Sequence, residues 1–317
     1  MPEKEKLSKS ETERLVEDFL EYLELARNCS PLTLRNYRHY LGRFSSWLEK
    51  NFPKAKLTLV DLEIIKKYRL FLARFTAPDG TSLSRSTQAY HLIALRSFFK
   101  WLVKNDRKVL APEKIDVPKI GERNLKFLTT EQVSRLLAQP LISHPRGLRD
   151  RAILETLFST GLRVSELVRL NRDQIDLKRR EFGVVGKGSR ARVVFLSPSA
   201  VKWLGRYLAT RNDPWKPLFI RWPGKNPPVV DGEKMRLTAR SVQRIVKKYV
   251  RKARLPVDAT THTLRHSFAT DLLMAGADIR SVQEMLGHKN IATTQIYTHI
   301  TNKHLREVHE SFHGKGR

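Results

Sequence analysis

The sequence predicts a mainly α-helical chain with one small β-sheet, an α+β fold arranged in two domains. Apolar residues recur at helical spacing over most of the 317 residues. One stretch, 181–196, instead holds two β-prone runs around a glycine-rich turn at 186–190. Another stretch, 107–126, contains Pro112 and Pro118, which interrupt helices and predict a break between the domains.

Four amphipathic helices are predicted in the first domain, residues 1–106. The second helix begins where Ser30 precedes Pro31, a pattern typical of an N-cap followed by proline in the first turn. The third covers about 59–75 and the fourth about 86–104. We assign the aromatic residues of these helices to a core rather than to base stacking. The first helix carries the apolar stripe Leu15, Phe19, Tyr22, Leu23 and Ala26.

A second domain, 127–317, is predicted after a basic linker at 107–126. It opens with Thr129 and Gln132, which are spaced as a capping box. A β-hairpin is expected at 181–196 because its two runs flank a short glycine-rich turn. Helices are expected at about 130–138, 147–159, 200–211, 238–254, 262–275 and 278–286.

The chain is strongly basic, with 60 Lys and Arg against 32 Asp and Glu and a formal net charge of +28. Such an excess is costly in self-repulsion and predicts a polyanionic partner. Double-stranded DNA is favoured over an anionic membrane, because no long basic amphipathic helix stands apart from a core. For any single arginine, a solvated basic face is the alternative to a DNA contact. The candidate contacts are Arg35, Arg38, Arg43, Arg85, Arg96 and Arg240.

Cysteine content and hydropathy exclude several classes of protein. The single cysteine, Cys29, cannot form an internal disulfide, and no Cys/His pair has zinc-ligand spacing. We therefore expect neither a metal nor a cofactor. No apolar signal core is recognisable near Met1, and no apolar run approaches the ~18 residues that span a bilayer. The expected location is the cytoplasm, in association with the nucleoid.

Four motifs follow one another in the second predicted domain. They are TGLRVSEL at 160–167, GKGSRARVV at 186–194, HTLRHSFAT at 262–270 and LGHKNIATTQIYTH at 286–299. In these motifs the chain resembles the tyrosine recombinases, or phage-integrase family, and most of all their Xer-like branch. The helical domain in front resembles the SAM-like core-binding domain of that family, though less specifically. The resemblance implies that the two domains close around DNA as a C-shaped clamp.

The resemblance also implies a nucleophile and a phosphate clamp. Tyr297 would attack the scissile phosphate, leaving a 3′-phosphotyrosine and a free 5′-hydroxyl without a metal or ATP. Arg163 and Arg265 would bind the phosphate. A guanidinium suits that role because it donates two parallel hydrogen bonds and stays charged at any working pH. Two of them can stabilise the charge that develops on a pentacoordinate phosphorus.

Three further residues are given roles by the same resemblance. Lys187, in the predicted hairpin turn, would donate a proton to the departing 5′-hydroxyl. His262 would assist proton transfer from the nucleophile, a task that suits an imidazole because its ordinary pKa lies near neutrality. His288 would donate a hydrogen bond to a non-bridging phosphate oxygen. Glu166 is expected to hold Arg163 or a nearby helix end rather than to take part in the chemistry.

The function implied is site-specific recombination through a Holliday junction, in a homotetramer or in a heterotetramer with a second recombinase. Resolution of chromosome or plasmid dimers is favoured, because the arm-binding domain of phage integrases is not recognisable. A septal DNA translocase is a further partner implied by the resemblance. Three alternatives stay open: a mobile-element integrase, DNA relaxation of the type IB topoisomerase kind, and a catalytically silent DNA-binding protein.

Overall fold

A computed structural model describes residues 10–53, 55–118, 126–186, 191–222, 232–287 and 290. The chain divides into two compact units, 1–123 and 124–317. Each unit has a hydrophobic core of its own. Among the described residues, no helix is both long and apolar enough to cross a membrane.

The described part of the N-terminal unit contains four α-helices whose first residues are fixed by side-chain caps. The hydroxyl of Ser10 accepts a hydrogen bond from the Glu13 amide, and the Glu13 carboxylate accepts one from the Ser10 amide, which completes a capping box. Ser30 caps the second helix, as the sequence predicts, with Pro31 at its first position. The four helices are α1 (Glu11–Leu25), α2 (Pro31–Asn51), α3 (Leu62–Arg74) and α4 (Arg85–Lys104).

Aromatic side chains lie in the core of this unit together with aliphatic ones, as predicted. Phe98 of α4 is fully buried, and its ring centroid lies 5.4 Å from that of Phe19 and 6.1 Å from that of Phe99. Phe44 of α2 meets Tyr68 of α3 edge to face at 5.0 Å. Edge-to-face and tilted pairs at these distances add to the stabilisation from buried area.

Part of the predicted linker packs on the same core. Pro112–Lys114 forms a single 3₁₀ turn, and the next residue, Ile115, is fully buried among the apolar side chains of the N-terminal unit. Val109, Leu110 and Val117 lie against that core as well. The described part of the segment, 107–118, is therefore held by apolar contacts. Domain boundaries at 106 and 127 remain our proposal.

The second unit contains seven described helices and a two-stranded antiparallel sheet. Strand β1 (Glu181–Val185) pairs with β2 (Ala191–Phe195), with Val184 opposite Arg192, so the predicted hairpin strands are present. The six-residue helix at 164–169 is absent from the sequence prediction. The helices are α5 (Thr130–Leu137), α6 (Pro145–Thr160), α7 (Val164–Arg169), α8 (Pro198–Leu208), α9 (Ala239–Lys252), α10 (Thr261–Met274) and α11 (Ile279–Leu286).

Helix α6 lies at the centre of this unit and packs against α8 and α10. Its polar side chains are buried together with its apolar ones. Arg149 and Asp150 form a buried ion pair at 2.7 Å, and the Tyr249 hydroxyl of α9 donates to the same carboxylate at 2.9 Å. Because a buried charge is tolerated only when it is paired and hydrogen-bonded, this network fixes α9 against α6.

We expect Phe98→Ala to lower the free energy of unfolding of the N-terminal unit by about 3–5 kcal/mol, because it empties the centre of the aromatic core. Ile93→Ala, at a position 38% exposed on the same helix, serves as the control and should change it by less than ~0.5 kcal/mol. Hydrogen exchange of the α4 amides in the full chain measures both. Equal protection in the two variants would contradict this description of the core.

Candidate functional site

The turn between α6 and α7 presents Arg163. Helix α6 ends at Gly161, whose φ of 58° lies in the left-handed region. A Cβ there would lie 2.4 Å from the Phe268 ring, so both conformation and space require glycine. Arg163 is the N-cap of α7: its amide and its guanidinium donate to the two oxygens of the Glu166 carboxylate, each at 2.9 Å. The short helix α7 therefore begins at Arg163, the arginine of the TGLRVSEL motif.

Glu166 is the single carboxylate bonded to two arginines at this site among the described residues. Its side chain is 6% exposed, and Arg192 of β2 donates to both of its oxygens, at 3.2 and 2.9 Å. Burial alone would raise the pKa of Glu166. The hydrogen bonds from Arg192 and Arg163 and the positive charge of Arg192 outweigh that effect and hold the pKa below its ordinary value. Glu166 is therefore ionised at neutral pH.

Arg265 lies on the first turns of α10, a helix capped by the Thr260 hydroxyl. Its guanidinium is buried and donates to the Gly161 carbonyl at 2.6 Å and to the Leu286 carbonyl at 2.6 Å. One arginine thus joins the end of α6 to the end of α11. Both of these acceptors are neutral backbone carbonyls.

The C-terminus of α11 is bound by three guanidinium groups. Consecutive carbonyls accept from different elements: Met285 from Arg192 at 3.0 Å, Leu286 from Arg265, and Gly287 from Arg163 at 3.4 Å. Gly287 ends the helix with φ of 63°, in the left-handed region. Cations stabilise a helix C-terminus because its last carbonyls are unpaired and carry partial negative charge. The three arginines are brought together by this one helix end.

Two histidines of α10 lie in the field of these arginines. Partial burial, together with the charges of Arg265 and Arg163, lowers the pKa of His262, although part of the residue is exposed. Burial is also the largest cause that lowers the pKa of His266, to about 4, with contributions from His262 and Arg265. Both imidazoles are therefore neutral at pH 7, and the exposed one, His262, can accept a proton.

A basic groove of about 360 Å³ lies beside His262. Its wall on α9 consists of Arg240, Arg244 and Lys247, which are exposed and spaced four and three residues apart on one helix face. Thr260 and Thr261 complete the lining. Exposed cations on one helix face next to a cluster of buried arginines form a surface suited to a polyanionic backbone.

Comparison with known proteins assigns the chain to a family. Residues 126–304 match the phage integrase family, and residues 16–106 match the N-terminal SAM-like domain of phage integrases. The chain is 37% identical to the tyrosine recombinase XerD of Lacticaseibacillus casei over 307 residues, which cover 95% of this chain and 99% of that protein. It is 36% identical to the tyrosine recombinase XerC of Pelotomaculum thermopropionicum, with 95% and 98% covered.

The chain belongs to the phage integrase family. The predicted family, mainly α fold and enzyme class are confirmed: the chain is a tyrosine site-specific recombinase with Xer relatives. The fold is also that of solved recombinases. The XerH site-specific recombinase, bound to a palindromic difH substrate in a post-cleavage complex, is similar with a TM-score of 0.68 at 25% identity, covering 92% of this chain and 82% of that one.

Only half of the predicted catalytic residues of this recombinase fall within the described residues. Arg163, His262 and Arg265 are brought together in the second unit. Lys187, His288 and Tyr297 lie outside the described residues. In the sequence, Lys187 comes two residues after the end of β1, where Val185 pairs with Ala191. His288 directly follows Gly287, whose carbonyl accepts from Arg163.

The arginines predicted to contact DNA in the N-terminal unit differ in how far they are engaged. Arg35, Arg85 and Arg96 are exposed. Arg38 is exposed but pairs with Glu17 at 2.9 Å. Arg43 is half-buried: its guanidinium lies 3.2 Å from His91 and 4.3 Å above the centre of the Phe75 ring, so part of its donor capacity is taken by its own domain.

Three residues at this site are not among those predicted from the sequence. Arg192 is bonded to Glu166 and Met285, and Arg244 and Lys247 line the groove beside His262. The α9 residues could have been found from their spacing with Arg240, because Val242, Val246 and Tyr249 occupy the opposite, buried face. No local signal reveals the partners of Arg192, since they lie 26 and 93 residues away.

We expect Glu166→Gln to lower the free energy of unfolding at pH 7 by about 3 kcal/mol, because it leaves Arg163 and Arg192 without a counter-charge. Since the folded-state pKa of Glu166 lies below the unfolded value of 4.5, the carboxylate stabilises the native protein fully above that value and loses this effect as pH falls through the folded pKa. The difference between variant and native protein should therefore shrink towards pH 3.

Urea titrations at several pH values measure this effect. Glu284→Gln, at an exposed position of α11, is the control and should stay within ~0.5 kcal/mol of the native protein. A Glu166→Gln penalty that stays constant between pH 7 and pH 3 would show that the carboxylate charge is not the cause.

Proposed function

We propose that this recombinase cleaves and rejoins double-stranded DNA through a 3′-phosphotyrosine at Tyr297. The observation that carries the proposal is the convergence of Arg163 and Arg265 on the end of α11, directly before the motif that contains His288 and Tyr297. The side chain of Arg163 is 28% exposed, so it can bond to a phosphate directly. The buried Arg265 would stabilise the same phosphate from the inner side of the site.

The proposed chemistry needs no metal. The phenol of Tyr297 loses its proton to His262, whose lowered pKa keeps the imidazole neutral before the reaction. The phenolate attacks the phosphorus, and the charge that develops on the phosphate oxygens is stabilised by Arg163 and Arg265. His288 donates a hydrogen bond to the same phosphate. Lys187 gives its proton to the departing 5′-hydroxyl, which the reverse reaction later uses to rejoin the strand.

DNA as the substrate is supported by the net charge of +28 and by the basic groove on α9. The related XerH recombinase was solved with a DNA substrate. In the N-terminal unit, Arg35, Arg85 and Arg96 present exposed guanidinium groups to the DNA backbone. Arg38 and Arg43 would first have to leave their contacts with other side chains of the same unit. Phosphate contacts of this kind supply affinity and position the protein without reading sequence.

Resolution of chromosome or plasmid dimers is the biological role we favour. The matches to XerD and XerC cover nearly the full length of each protein, which supports an Xer-like activity over that of a mobile-element integrase. Four protomers on two DNA sites, as a homotetramer or with a second recombinase, would exchange strands through a Holliday junction. A septal DNA translocase and a cytoplasmic, nucleoid-associated location belong to this proposal.

Tyr297→Phe should abolish the covalent protein–DNA complex, because it removes only the attacking oxygen. The measurement uses a pool of nicked duplexes with randomised half-sites, in which cleavage traps the adduct for gel analysis and sequencing. Tyr90→Phe, an exposed tyrosine of α4, is the control and should trap as much as the native chain. No adduct with the native chain, or an equal yield from Tyr297→Phe, would overturn the proposal. Efficient relaxation of a supercoiled plasmid without a site would favour the topoisomerase alternative.

Arg163→Gln should slow adduct formation by a factor of about 10²–10³, the usual loss when one stabilising donor is removed. DNA affinity should change much less, since one phosphate contact among many is lost. Arg169→Gln, on the exposed face of the same helix, is the matched control and should cleave at nearly the native rate. If both variants lose the same amount of activity, a stabilising role for Arg163 at the phosphate is wrong.

A further inference from the structure

Arg192 lies where three elements of the recombinase site meet, although it belongs to none of the predicted catalytic roles. It extends from β2 to the Glu166 carboxylate of α7 and to the Met285 carbonyl of α11. Its side chain is 11% exposed, so it is enclosed by these partners and does not face solvent as a phosphate contact would.

The bond between Arg192 and Glu166 determines how Glu166 can hold Arg163. Each oxygen of the carboxylate accepts from both sides: Oε1 from Arg163 at 2.9 Å and from Arg192 at 3.2 Å, and Oε2 from the Arg163 amide at 2.9 Å and from Arg192 at 2.9 Å. A carboxylate bonded bidentately on one side cannot rotate. The plane of Glu166, and with it the direction of the Arg163 guanidinium, is therefore set by Arg192.

The contact between Arg192 and α11 determines where that helix ends. Its Nε donates to the Met285 carbonyl at 3.0 Å, and a Cβ at Gly287 would lie 3.0 Å from its Nη1 and 3.1 Å from its Cδ. The last turn of α11 thus rests on the Arg192 side chain. One side chain thus contacts both the carboxylate that holds Arg163 and the end of the helix that precedes His288 in the sequence.

We propose that Arg192 is a positioning residue for the recombinase reaction: through Glu166 it orients Arg163, and through Met285 it sets the end of α11. This inference rests on the proposed function at Tyr297. In this role Arg192 acts through Glu166 and Met285 and not on the phosphate itself. Its planar fork is required, because a lysine ammonium cannot bond both carboxylate oxygens and a carbonyl in the same geometry.

The test compares Arg192→Met and Arg192→Lys in the full chain, by adduct formation on the nicked-duplex pool. Arg192→Met should cleave about 10²-fold more slowly, the loss typical of reacting groups displaced by about 1 Å. Arg192→Lys keeps the charge without the fork and should lose about tenfold. DNA affinity should stay within about threefold of the native value in both, because Arg192 is not a backbone contact.

The pH dependence of the cleavage rate distinguishes a positioning role of Arg192 from a general loss of stability. Without Arg192 the pKa of Glu166 rises, because its hydrogen bonds and the nearby positive charge help to hold that pKa down. The acid limb reflects protonation of His262 together with protonation of Glu166, so a raised Glu166 pKa should move it to higher pH in Arg192→Met, and by less in Arg192→Lys. If Arg192→Met does not fold, Arg192→Lys serves as the test. Its acid limb should lie at higher pH than that of the native protein, and its cleavage rate should be about tenfold lower.

Arg236→Met is the matched control. Arg236 holds the opposite end of α7, donating to the Val168 and Leu170 carbonyls at 3.0 Å each. Its loss should lower Tm but leave the acid limb in place and the cleavage rate within about threefold. A double variant, Glu166→Gln with Arg192→Met, should cleave no more slowly than the worse single variant, since both act through one interaction.

Two results would overturn the inference while leaving the proposed function intact. The first is native cleavage and a native acid limb in Arg192→Met. The second is an equal loss of rate and an equal displacement of the limb in Arg236→Met, which would mean that any loosening of α7 suffices. A native chain that forms no adduct would overturn the proposed function and the positioning role together, and is recognised because every variant is then equally inactive.

Discussion

The binding of three arginines at the end of α11 is the interaction on which the rest of the site depends. Arg192, Arg265 and Arg163 come from a strand, a helix and a helix N-cap, and they donate to three consecutive carbonyls, Met285 to Gly287. A helix C-terminus gathers cations because its last carbonyls have no partners within the helix. Elements separated by more than a hundred residues are thus held at one place by backbone acceptors that carry no net charge.

Neutral acceptors matter because they leave the site positive. Glu166 is the one carboxylate that the described residues place against these arginines, and it is shared by Arg163 and Arg192. The described residues thus place three guanidinium groups beside one carboxylate, and the bonds of Arg265 to Gly161 and Leu286 are to neutral carbonyls. Positive charges gathered in this way repel one another, and a phosphate bound as we propose would lower that cost. In the proposed mechanism, the affinity for the reacting group therefore follows from how the site folds.

Much of the fold could be predicted from the sequence because local rules decide it. The Ser30–Pro31 start, the Thr129–Gln132 capping box and the hairpin strands all depend on residues within a few positions of one another. The exception is α7, which has six residues and is too short for a periodic pattern. It forms because the Glu166 carboxylate accepts from the Arg163 amide at the start of its first turn and from the Arg163 guanidinium as well. The burial of Ile115 could not be predicted either, since prolines in the segment say nothing about what one isoleucine will meet.

The candidate site shows the same division between local and long-range information. The motifs predicted Arg163, His262 and Arg265, yet they could not predict that His262 would be partly exposed and Arg265 buried on the same helix. That difference depends on long-range contacts, since the Arg265 guanidinium bonds to carbonyls at the ends of α6 and α11. It also separates the roles that we propose for the two arginines. Arg265, which is bonded to two carbonyls, would fix the geometry, whereas Arg163, whose side chain is 28% exposed, would contact the phosphate. A site in which both were exposed would have to order two long side chains when DNA binds, and that lost side-chain entropy would weaken binding and slow the reaction.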